Sequence, residues 1–210
     1  MIGVARARDH RAEIAAAVDA VRASAPLVHG ATGSVTRALV ADGLLAAGAR
    51  PMLTESEQES PTLVGVADAL LVNLGSLSGD GMAGLLPTAR AAATHGVPWV
   101  LDPTAVGLAP VRTPLAHELL ALGPTVVRGN ASEVLTLAGG SGGGRGADST
   151  LGPDAAAVPA TTLARRAGCV VAVSGAVDLV TDGERVARIA SGSPLLTRVS
   201  GTGCLLGALT

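Results

Sequence analysis

A glycine-containing motif near the end of the 210-residue chain carries the residues best suited to chemistry. Gly201, Thr202, Gly203 and Cys204 follow one another, and the apolar run after Cys204 predicts the start of a helix. Glycine permits backbone angles at which successive N–H groups point at one spot, and a helix N-terminus favours negative charge. The motif therefore predicts an anion site that would stabilise a phosphoryl group during its transfer.

Cys204 is expected at the N-terminus of that helix, where the pKa of a thiol falls from about 8.5 towards neutrality. A thiolate at this place could accept the proton of an attacking hydroxyl group. The alternative interpretation is a glycine turn followed by an ordinary buried cysteine. Four residues of the pattern Gly-x-Gly-x, taken alone, favour that alternative.

A second cluster comprises Arg128, Asn130 and Glu133. Asn130 and Glu133 lie three residues apart at a predicted strand-to-helix junction, so their side chains would face the same way across the first turn. Oxygen ligands of this kind suit Mg²⁺, whose coordination is completed by waters and substrate phosphates. Asp102 is a further candidate carboxylate for the metal or its waters. The alternative for Asn130 and Glu133 is a helix capping box, which the local sequence favours.

The elements that must position these residues are short apolar runs, each ending in a polar residue or glycine, which alternate with segments of helical character. This alternation predicts βαβ units, a parallel sheet and one α/β domain spanning residues 1–210. The apolar runs lie at 27–28, 70–72, 99–101, 126–127 and 170–173, and two of the helical segments are 82–95 and 114–122.

Polar side chains follow these runs, where a parallel sheet binds its ligands outside the carboxyl ends of its strands. Asn73, Asp102, Arg128, Asn130 and Ser174 all occupy such positions. The sequence therefore predicts a site at this edge of the sheet. Any one of these residues alone is more often a turn or cap than a ligand.

The periphery of the domain contains further predicted elements. Apolar residues recur at helical spacing from Asp9 to Ser24, which predicts a surface helix packed on the domain through that face. Strand-like segments on both sides of Asp182 and Gly183 predict a hairpin. The Gly/Ser-rich stretch 139–152 predicts a surface loop, with a phosphate-binding loop as the alternative.

Composition excludes several classes of protein. Hydrophobic residues make up 48% of the chain, with one Trp and no Phe or Tyr, so the core must consist of Ala, Val and Leu. Net charge is −2 and the basic residues are scattered, which argues against nucleic-acid binding. The chain contains no run of roughly 20 apolar residues, so no membrane span is expected. Two cysteines in apolar contexts favour a reducing, cytoplasmic location.

An ordered set of motifs from residue 26 onward resembles the hydroxyethylthiazole kinase family. The resemblance is specific, because the motifs match in both order and spacing and because the cysteine of Gly-Thr-Gly-Cys separates the family from relatives with aspartate there. The motifs are Pro-Leu-Val-His at 26–29, Ala-Leu-Leu-Val-Asn-Leu-Gly-Ser-Leu at 69–77, Leu-Asp-Pro at 101–103, Arg-Thr at 112–113, Arg-Gly-Asn-Ala-Ser-Glu at 128–133, Asp-Ser-Thr at 148–150, Asp-Gly-Glu-Arg at 182–185 and Gly-Thr-Gly-Cys at 201–204.

The resemblance implies a ribokinase-like, three-layer α/β/α fold and a homotrimer with the thiazole bound near a subunit interface. It also implies transfer of the γ-phosphoryl group of ATP, with Mg²⁺, to 4-methyl-5-(2-hydroxyethyl)thiazole for thiamine phosphate synthesis. The family's functional positions fall on Arg128 and Ser174 for ATP, Leu53 and Gly201 for the thiazole, and Cys204 for catalysis. Asn130 and Glu133 match the metal-associated Asn-x-x-Glu pattern of the wider superfamily.

The chain also departs from the family pattern. Ala31, Thr32 and Gly33 stand where the family has Ile-Thr-Asn, Thr104–Gly107 replaces Val-Gly-Ala-Gly, and Leu53 replaces Met. The family continues through further helices after the cysteine, so those C-terminal helices are expected to be missing here. Two alternatives remain open, namely a related kinase for another hydroxymethyl heterocycle, such as a pyrimidine or pyridoxal, and a non-catalytic binder of thiazole or nucleotide.

Overall fold

A computed structural model describes residues 10–140, 144–145, 148–149 and 151–210, and the side chains of 141–150 lie outside the described part. Most of its strands belong to one sheet. In chain order the described strands are β1 (Leu27–Ala31), β2 (Arg50–Met52), β3 (Ala69–Asn73), β4 (Trp99–Asp102), β5 (Val126–Asn130), β6 (Gly144–Arg145), β7 (Asp148–Ser149), β8 (Val170–Ser174), β9 (Asp178–Thr181) and β10 (Val186–Ile189).

Helices connect the strands and cover both faces of the sheet. The described α-helices are α1 (Arg11–Ser24), α2 (Arg37–Ala47), α3 (Ser60–Leu63), α4 (Gly79–His95), α5 (Arg112–Leu120), α6 (Ala131–Leu137), α7 (Ala157–Ala167) and α8 (Thr202–Leu209), with 3-10 turns at Val64–Val66, Pro153–Ala156 and Pro194–Arg198.

The large sheet has the order β10-β9-β8-β5-β4-β3-β1-β2, and β6 pairs only with β7. Strands β2, β1, β3, β4, β5 and β8 run parallel, whereas β9 and β10 are antiparallel additions at one edge. The prediction of a mostly parallel sheet is therefore confirmed. The predicted hairpin is also present, with Asp182 and Gly183 between β9 and β10.

Alternating side chains of the central strands enter two different cores, because successive residues of a strand point to opposite faces. Leu70 and Val72 of β3 pack with buried residues of α4 to α7, in the larger apolar cluster. Leu71, between them, packs with Val40 of α2 and Ala208 of α8. This division of one strand between two cores gives the three-layer α/β/α architecture expected from the sequence.

Two features of the periphery differ from the sequence-based expectations. Ile14 and Val18 of α1 are 59% and 41% exposed, so the predicted packing of that apolar face on the domain is wrong for both. Only Val21, one helical turn further on, packs against the α2 side of the sheet. Strand β2 was not predicted, because its three residues are too few for a periodic pattern and none is buried.

Two further sequence-based expectations lie partly or wholly outside what the structure describes. The side chains of 141–150, within the Gly/Ser-rich stretch and the Asp-Ser-Thr motif, lie outside the described part of the chain. The phosphate-loop hypothesis for that stretch therefore stays a prediction.

Among the described residues, no helix is long and apolar enough to cross a membrane.

Candidate active site

The carboxyl ends of the parallel strands carry the polar residues singled out in the sequence. Asn73 at the end of β3 lies beside Asp102 at the end of β4. Asn130 at the end of β5 lies beside Ser174 at the end of β8, and Arg128 is two residues earlier on β5. The predicted gathering of these five residues at one edge of the sheet is therefore confirmed.

A cavity of about 390 Å³ opens at this edge between two walls. We call the residues from the sheet, the loop after β4 and α6 the sheet wall. Those from the 3-10 turn Pro194–Arg198 and the following residues up to Cys204 form the motif wall. The sheet wall comprises Asp102, Thr104, Arg128, Asn130, Glu133 and Ser174, and the motif wall comprises Leu196, Thr197, Val199, Ser200, Gly201, Thr202, Gly203 and Cys204.

An ion pair between neighbouring strands organises the sheet wall. Arg128 Nη1 donates to Asp102 Oδ2 at 3.2 Å, and Arg128 Nη2 donates to Ser174 Oγ at 2.8 Å. The side chains of Arg128 and Asp102 are only 12% and 1% exposed. The bond to Ser174 gives the second terminal nitrogen a partner and holds the guanidinium in the plane that faces Asp102.

Asn130 and Glu133 form the capping box that was the alternative interpretation of their spacing. Asn130 Oδ1 accepts from Glu133 N at 3.0 Å, and Glu133 Oε2 accepts from Asn130 N at 2.8 Å. The second carboxylate oxygen, Oε1, accepts from Ala105 N at 2.9 Å. These bonds secure the first turn of α6 and leave both residues on the cavity wall.

The two carboxylates of the sheet wall disfavour each other's ionisation. Burial, and then the charge of Asp102, raise the pKa of Glu133 from its ordinary 4.5 to about 7. Burial also raises the pKa of Asp102, against the opposing effects of Arg128 and of hydrogen bonds from Thr104 and Asn73. When both carboxylates are ionised, the wall carries more negative charge than Arg128 balances, so a cation in the cavity would favour that ionised state.

The motif wall ends in the helix that the sequence predicted. Gly201 has φ of +88° and precedes α8. The first helical hydrogen bond of α8 is donated by Leu205 N to Gly201 O at 2.9 Å. The N–H groups of Thr202, Gly203 and Cys204 precede that bond, and all three residues line the cavity. A Cβ at Gly203 would lie 3.0 Å from Arg128 Nη1, so the motif and the guanidinium are in close contact.

The expectation of a lowered pKa at Cys204 is wrong. Burial raises the pKa of this thiol, and the nearby charge of Asp102 raises it further. Hydrogen bonds from Thr36 and Asn73 and the charge of Arg128 oppose this rise without reversing it. The position at a helix N-terminus was inferred correctly, but burial of the thiol, together with the charge of Asp102 from a distant part of the sequence, reverses the expected direction of the pKa shift.

Leu53 lies apart from the other predicted site residues. It follows β2, packs in the apolar cluster that also contains Cys204, and does not line the cavity. A Cβ at Gly30 would lie 2.6 Å from Leu53 Cδ2, so Leu53 covers the end of β1. The structure thus brings together the predicted ATP, metal and catalytic positions with Gly201, and leaves Leu53 on the neighbouring surface.

Sequence reasoning missed several residues that line the cavity. Leu196, Thr197, Val199 and Ser200 belong to the 3-10 turn and the extended residues before Gly201. Their only signal was proximity in sequence to the glycine motif. Thr104 was noted as a departure from the family pattern, although its hydroxyl donates to Asp102 Oδ1 at 2.9 Å.

Similarity to known proteins defines first a class and then a family. The structure of an ADP complex of Bacillus subtilis pyridoxal kinase matches with a TM-score of 0.59 at 16% identity, over 87% of this chain and 81% of that one. That likeness defines the ribokinase-like α/β fold. A model of the hydroxyethylthiazole kinase family matches residues 18–210. The chain belongs to the hydroxyethylthiazole kinase family.

Individual relatives agree with the family match. The hydroxyethylthiazole kinase of Klebsiella pneumoniae subsp. pneumoniae is 51% identical over 90% of this chain and 74% of its own length. That of Clavibacter sepedonicus is 50% identical over 90% and 69%. The solved structure of the hydroxyethylthiazole kinase protein from Pyrococcus horikoshii OT3 is 36% identical, with a TM-score of 0.85 over 94% of this chain and 74% of that chain.

Proposed function

We propose that the chain transfers the γ-phosphoryl group of ATP to the hydroxyl group of 4-methyl-5-(2-hydroxyethyl)thiazole. Relatives named hydroxyethylthiazole kinase, at about half identity over most of the chain, support this kinase activity. The observation that carries the proposal is the single cavity that brings Arg128 and the start of α8 against Asp102 and Glu133. Fixed N–H donors and a guanidinium suit the charge of a transferring phosphoryl group.

Arg128 and Ser174 are assigned to the ATP phosphates. Arg128 uses one N–H of each terminal nitrogen on Asp102 and Ser174, and each of those nitrogens keeps a second N–H. The N–H groups of Thr202, Gly203 and Cys204 supply further donors from the opposite wall. Phosphate oxygens between the two walls would accept from both.

The carboxylates fit a Mg²⁺ ion that arrives with ATP. Among the described residues, no group of three or more His, Cys, Asp or Glu side chains could hold a metal by itself. Mg²⁺ commonly takes one or two carboxylates and completes its shell with waters and phosphates. Asp102 and Glu133 match that pattern, since their mutual repulsion favours a cation, whereas Asn130 would act through its cap on Glu133. Bound Mg²⁺ would neutralise charge on the transferring phosphoryl group.

Gly201 and Cys204 are assigned to the acceptor side, where Cys204 would receive the proton of the alcohol. Its raised pKa keeps the thiol mostly protonated at neutral pH, so Cys204 would act as a base only in the minor fraction of enzyme molecules that carry the thiolate. Phosphoryl transfer depends mostly on positioning and charge stabilisation, so a weak base is compatible with turnover.

We further infer a homotrimer in the cytoplasm. Leu53 is the assigned thiazole contact outside the cavity, and its half-buried position at the end of β2 would suit completion by a second subunit. Cys169 and Cys204 are both free thiols, which suits a reducing compartment. Light scattering after size-exclusion chromatography would give the mass of the assembly, and a monomeric mass would contradict the trimer.

The test of the proposed function compares acceptors. The purified chain is incubated with Mg-ATP and the thiazole alcohol, a hydroxymethylpyrimidine or pyridoxal, and phosphorylated product is measured by mass spectrometry. We expect the highest kcat/KM with the thiazole alcohol. A higher value with either other acceptor would transfer the assignment to that heterocycle, and tight binding without product would indicate a non-catalytic binder.

A further inference from the structure

A chain of hydrogen bonds leads from β3 into the sheet wall. Gly75 N donates to Asn73 Oδ1 at 2.9 Å, which fixes the orientation of the Asn73 amide. Asn73 Nδ2 then donates to Thr104 Oγ1 at 3.4 Å. Thr104 Oγ1, which accepts this hydrogen bond, donates its own hydroxyl hydrogen to Asp102 Oδ1 at 2.9 Å. Asn73 is fully buried, so the chain starts in the protein interior and ends at Thr104 and Asp102 on the cavity wall.

The two oxygens of Asp102 thus have different partners. Oδ1 accepts from Thr104, and Oδ2 accepts from Arg128 at 3.2 Å. The terminal torsion of an aspartate has a broad, two-fold preference, so rotamer energetics alone do not fix the plane of the carboxylate. Two donors on its two oxygens do fix it. Arg128 is also assigned to phosphate, so the donors committed to Asp102 are Thr104 and, as a further donor, Asn73.

The same short loop holds the second carboxylate. Thr104 binds Asp102 through its side chain, and the next residue, Ala105, donates its backbone N–H to Glu133 Oε1 at 2.9 Å. Ala105 has φ of +66°, a left-handed conformation that costs a non-glycine residue roughly 1 kcal/mol or more. This loop therefore sets the relative placement of the two carboxylates on the sheet wall.

We propose that Thr104, oriented by Asn73, is a positioning residue that fixes the Asp102 carboxylate for the metal–nucleotide complex. The proposal rests on the proposed function, since it concerns the metal carried by ATP. Hydrogen-bond partners one step removed from a metal commonly contribute 10- to 100-fold in metal affinity or activity. Loss of the Thr104 hydroxyl should therefore weaken metal binding to the nucleotide complex by about tenfold.

The test compares Thr104→Val, which keeps the shape and removes the hydroxyl, with Thr104→Ser, which keeps the hydroxyl. Binding of Mn²⁺ is measured by electron paramagnetic resonance with the full chain saturated by a non-hydrolysable ATP analogue. We expect a Kd about tenfold higher for Thr104→Val and within about twofold of the parent for Thr104→Ser. Thr88→Val is the control, because it makes the same change at a buried threonine whose hydroxyl bonds within α4, to Gly84 O at 2.7 Å, away from the cavity.

Steady-state kinetics give a second readout. Thr104→Val should raise the Mg²⁺ concentration for half-maximal rate and leave KM for the thiazole alcohol unchanged, since the acceptor does not contact Asp102 in this proposal. An unchanged Mn²⁺ Kd in Thr104→Val would overturn the positioning role. Equal weakening in the valine and serine variants would also overturn it, because shape and not the hydroxyl would then matter.

The binding measurement separates this proposal from the proposed function. A parent chain that binds Mn²⁺ and nucleotide but phosphorylates no thiazole alcohol would refute the acceptor assignment and leave the role of Thr104 intact. The converse outcome is a parent chain that phosphorylates the alcohol and a Thr104→Val variant that binds Mn²⁺ as tightly as the parent does. That pair of results would refute only the role of Thr104.

Discussion

The sheet wall and the motif wall enclose the same cavity but are held in place by different means. On the sheet wall, Asp102 and Glu133 are 1% and 4% exposed and each accepts at least two hydrogen bonds. On the motif wall, Leu196 and Val199 are both 50% exposed, and Thr202 Oγ1 bonds Leu196 O at 3.1 Å. Segments with few buried contacts open at low free-energy cost. The fixed charges thus lie on the rigid wall.

The contrast between the two walls predicts that substitutions on the sheet wall have the larger effects. When a partner of a buried charge is removed, water cannot take its place and the charge is left uncompensated. Exposed residues, in contrast, are solvated and can adjust around a ligand. The following variants test this, from the largest expected effect to the smallest.

Arg128→Ala should lower kcat/KM by about 100- to 1000-fold, the cost of removing one transition-state donor. The variant also leaves Asp102 buried without its cation, which should destabilise the fold by about 3 kcal/mol or more. Activity is measured together with folded fraction by circular dichroism. Arg188→Ala is the control, because Arg188 forms only an exposed pair with Asp154. Retention of a tenth of the parent kcat/KM would contradict the assignment of Arg128 to ATP.

Glu133 should make the free energy of unfolding depend on pH. Its pKa is about 7 in the folded chain and near its ordinary value of 4.5 when unfolded, so the folded state keeps the proton up to a higher pH than the unfolded state does. Stability contributed by this group is therefore lost as pH rises from about 4.5 to 7, by at most about 1.4 kcal/mol per pH unit.

Urea titrations of the parent and Glu133→Gln between pH 5 and 8 check this prediction. The glutamine variant should be less stable at low pH, because an amide cannot accept from both Asn130 N and Ala105 N. Its stability should nevertheless fall less steeply with pH than that of the parent. Parallel slopes in the two proteins would refute the raised pKa.

Gly201→Ala tests the motif wall. The φ of +88° costs an alanine roughly 1–2 kcal/mol, and its Cβ would lie 2.6 Å from Thr36 Cγ2. We expect about a tenfold fall in kcat, since displacement of reacting groups by a fraction of an ångström has effects of this size. Gly96→Ala is the matched control, because Gly96 has φ of +69° with nothing within 4 Å and lies at the end of α4. Equal kcat values in the two variants would contradict the role of this turn.

Cys204→Ser should have the smallest effect, a moderate loss of up to about tenfold in kcat with KM for ATP unchanged. If the thiolate is the base, the kcat of the parent should rise with pH towards the raised pKa of Cys204, because only the deprotonated form accepts a proton. The serine variant should lack that rise. Full activity with an unaltered pH profile would show that Cys204 is not the base.

Local patterns in the sequence predicted the parts of this protein that local interactions build. The apolar runs identified β1, β3, β4, β5 and β8, because strands covered on both faces are continuously apolar. The capping box at Asn130 and Glu133 was legible because all of its atoms lie within one helical turn. Strand β2 and the exposed face of α1 were not predicted correctly, since both depend on neighbours from elsewhere in the chain.

The sequence by itself therefore determined the parallel strands other than β2, the helix after Gly201 and the polar edge of the sheet. Only the tertiary structure decided that Arg128 pairs with Asp102 and Ser174, that Thr104 bonds Asp102, and that the pKa of Cys204 is raised. The physical reason is that charge and burial act through space. Three strands bring Asp102, Arg128 and Ser174 together from positions 26 and 46 residues apart, and no local pattern records which side chains then face one another.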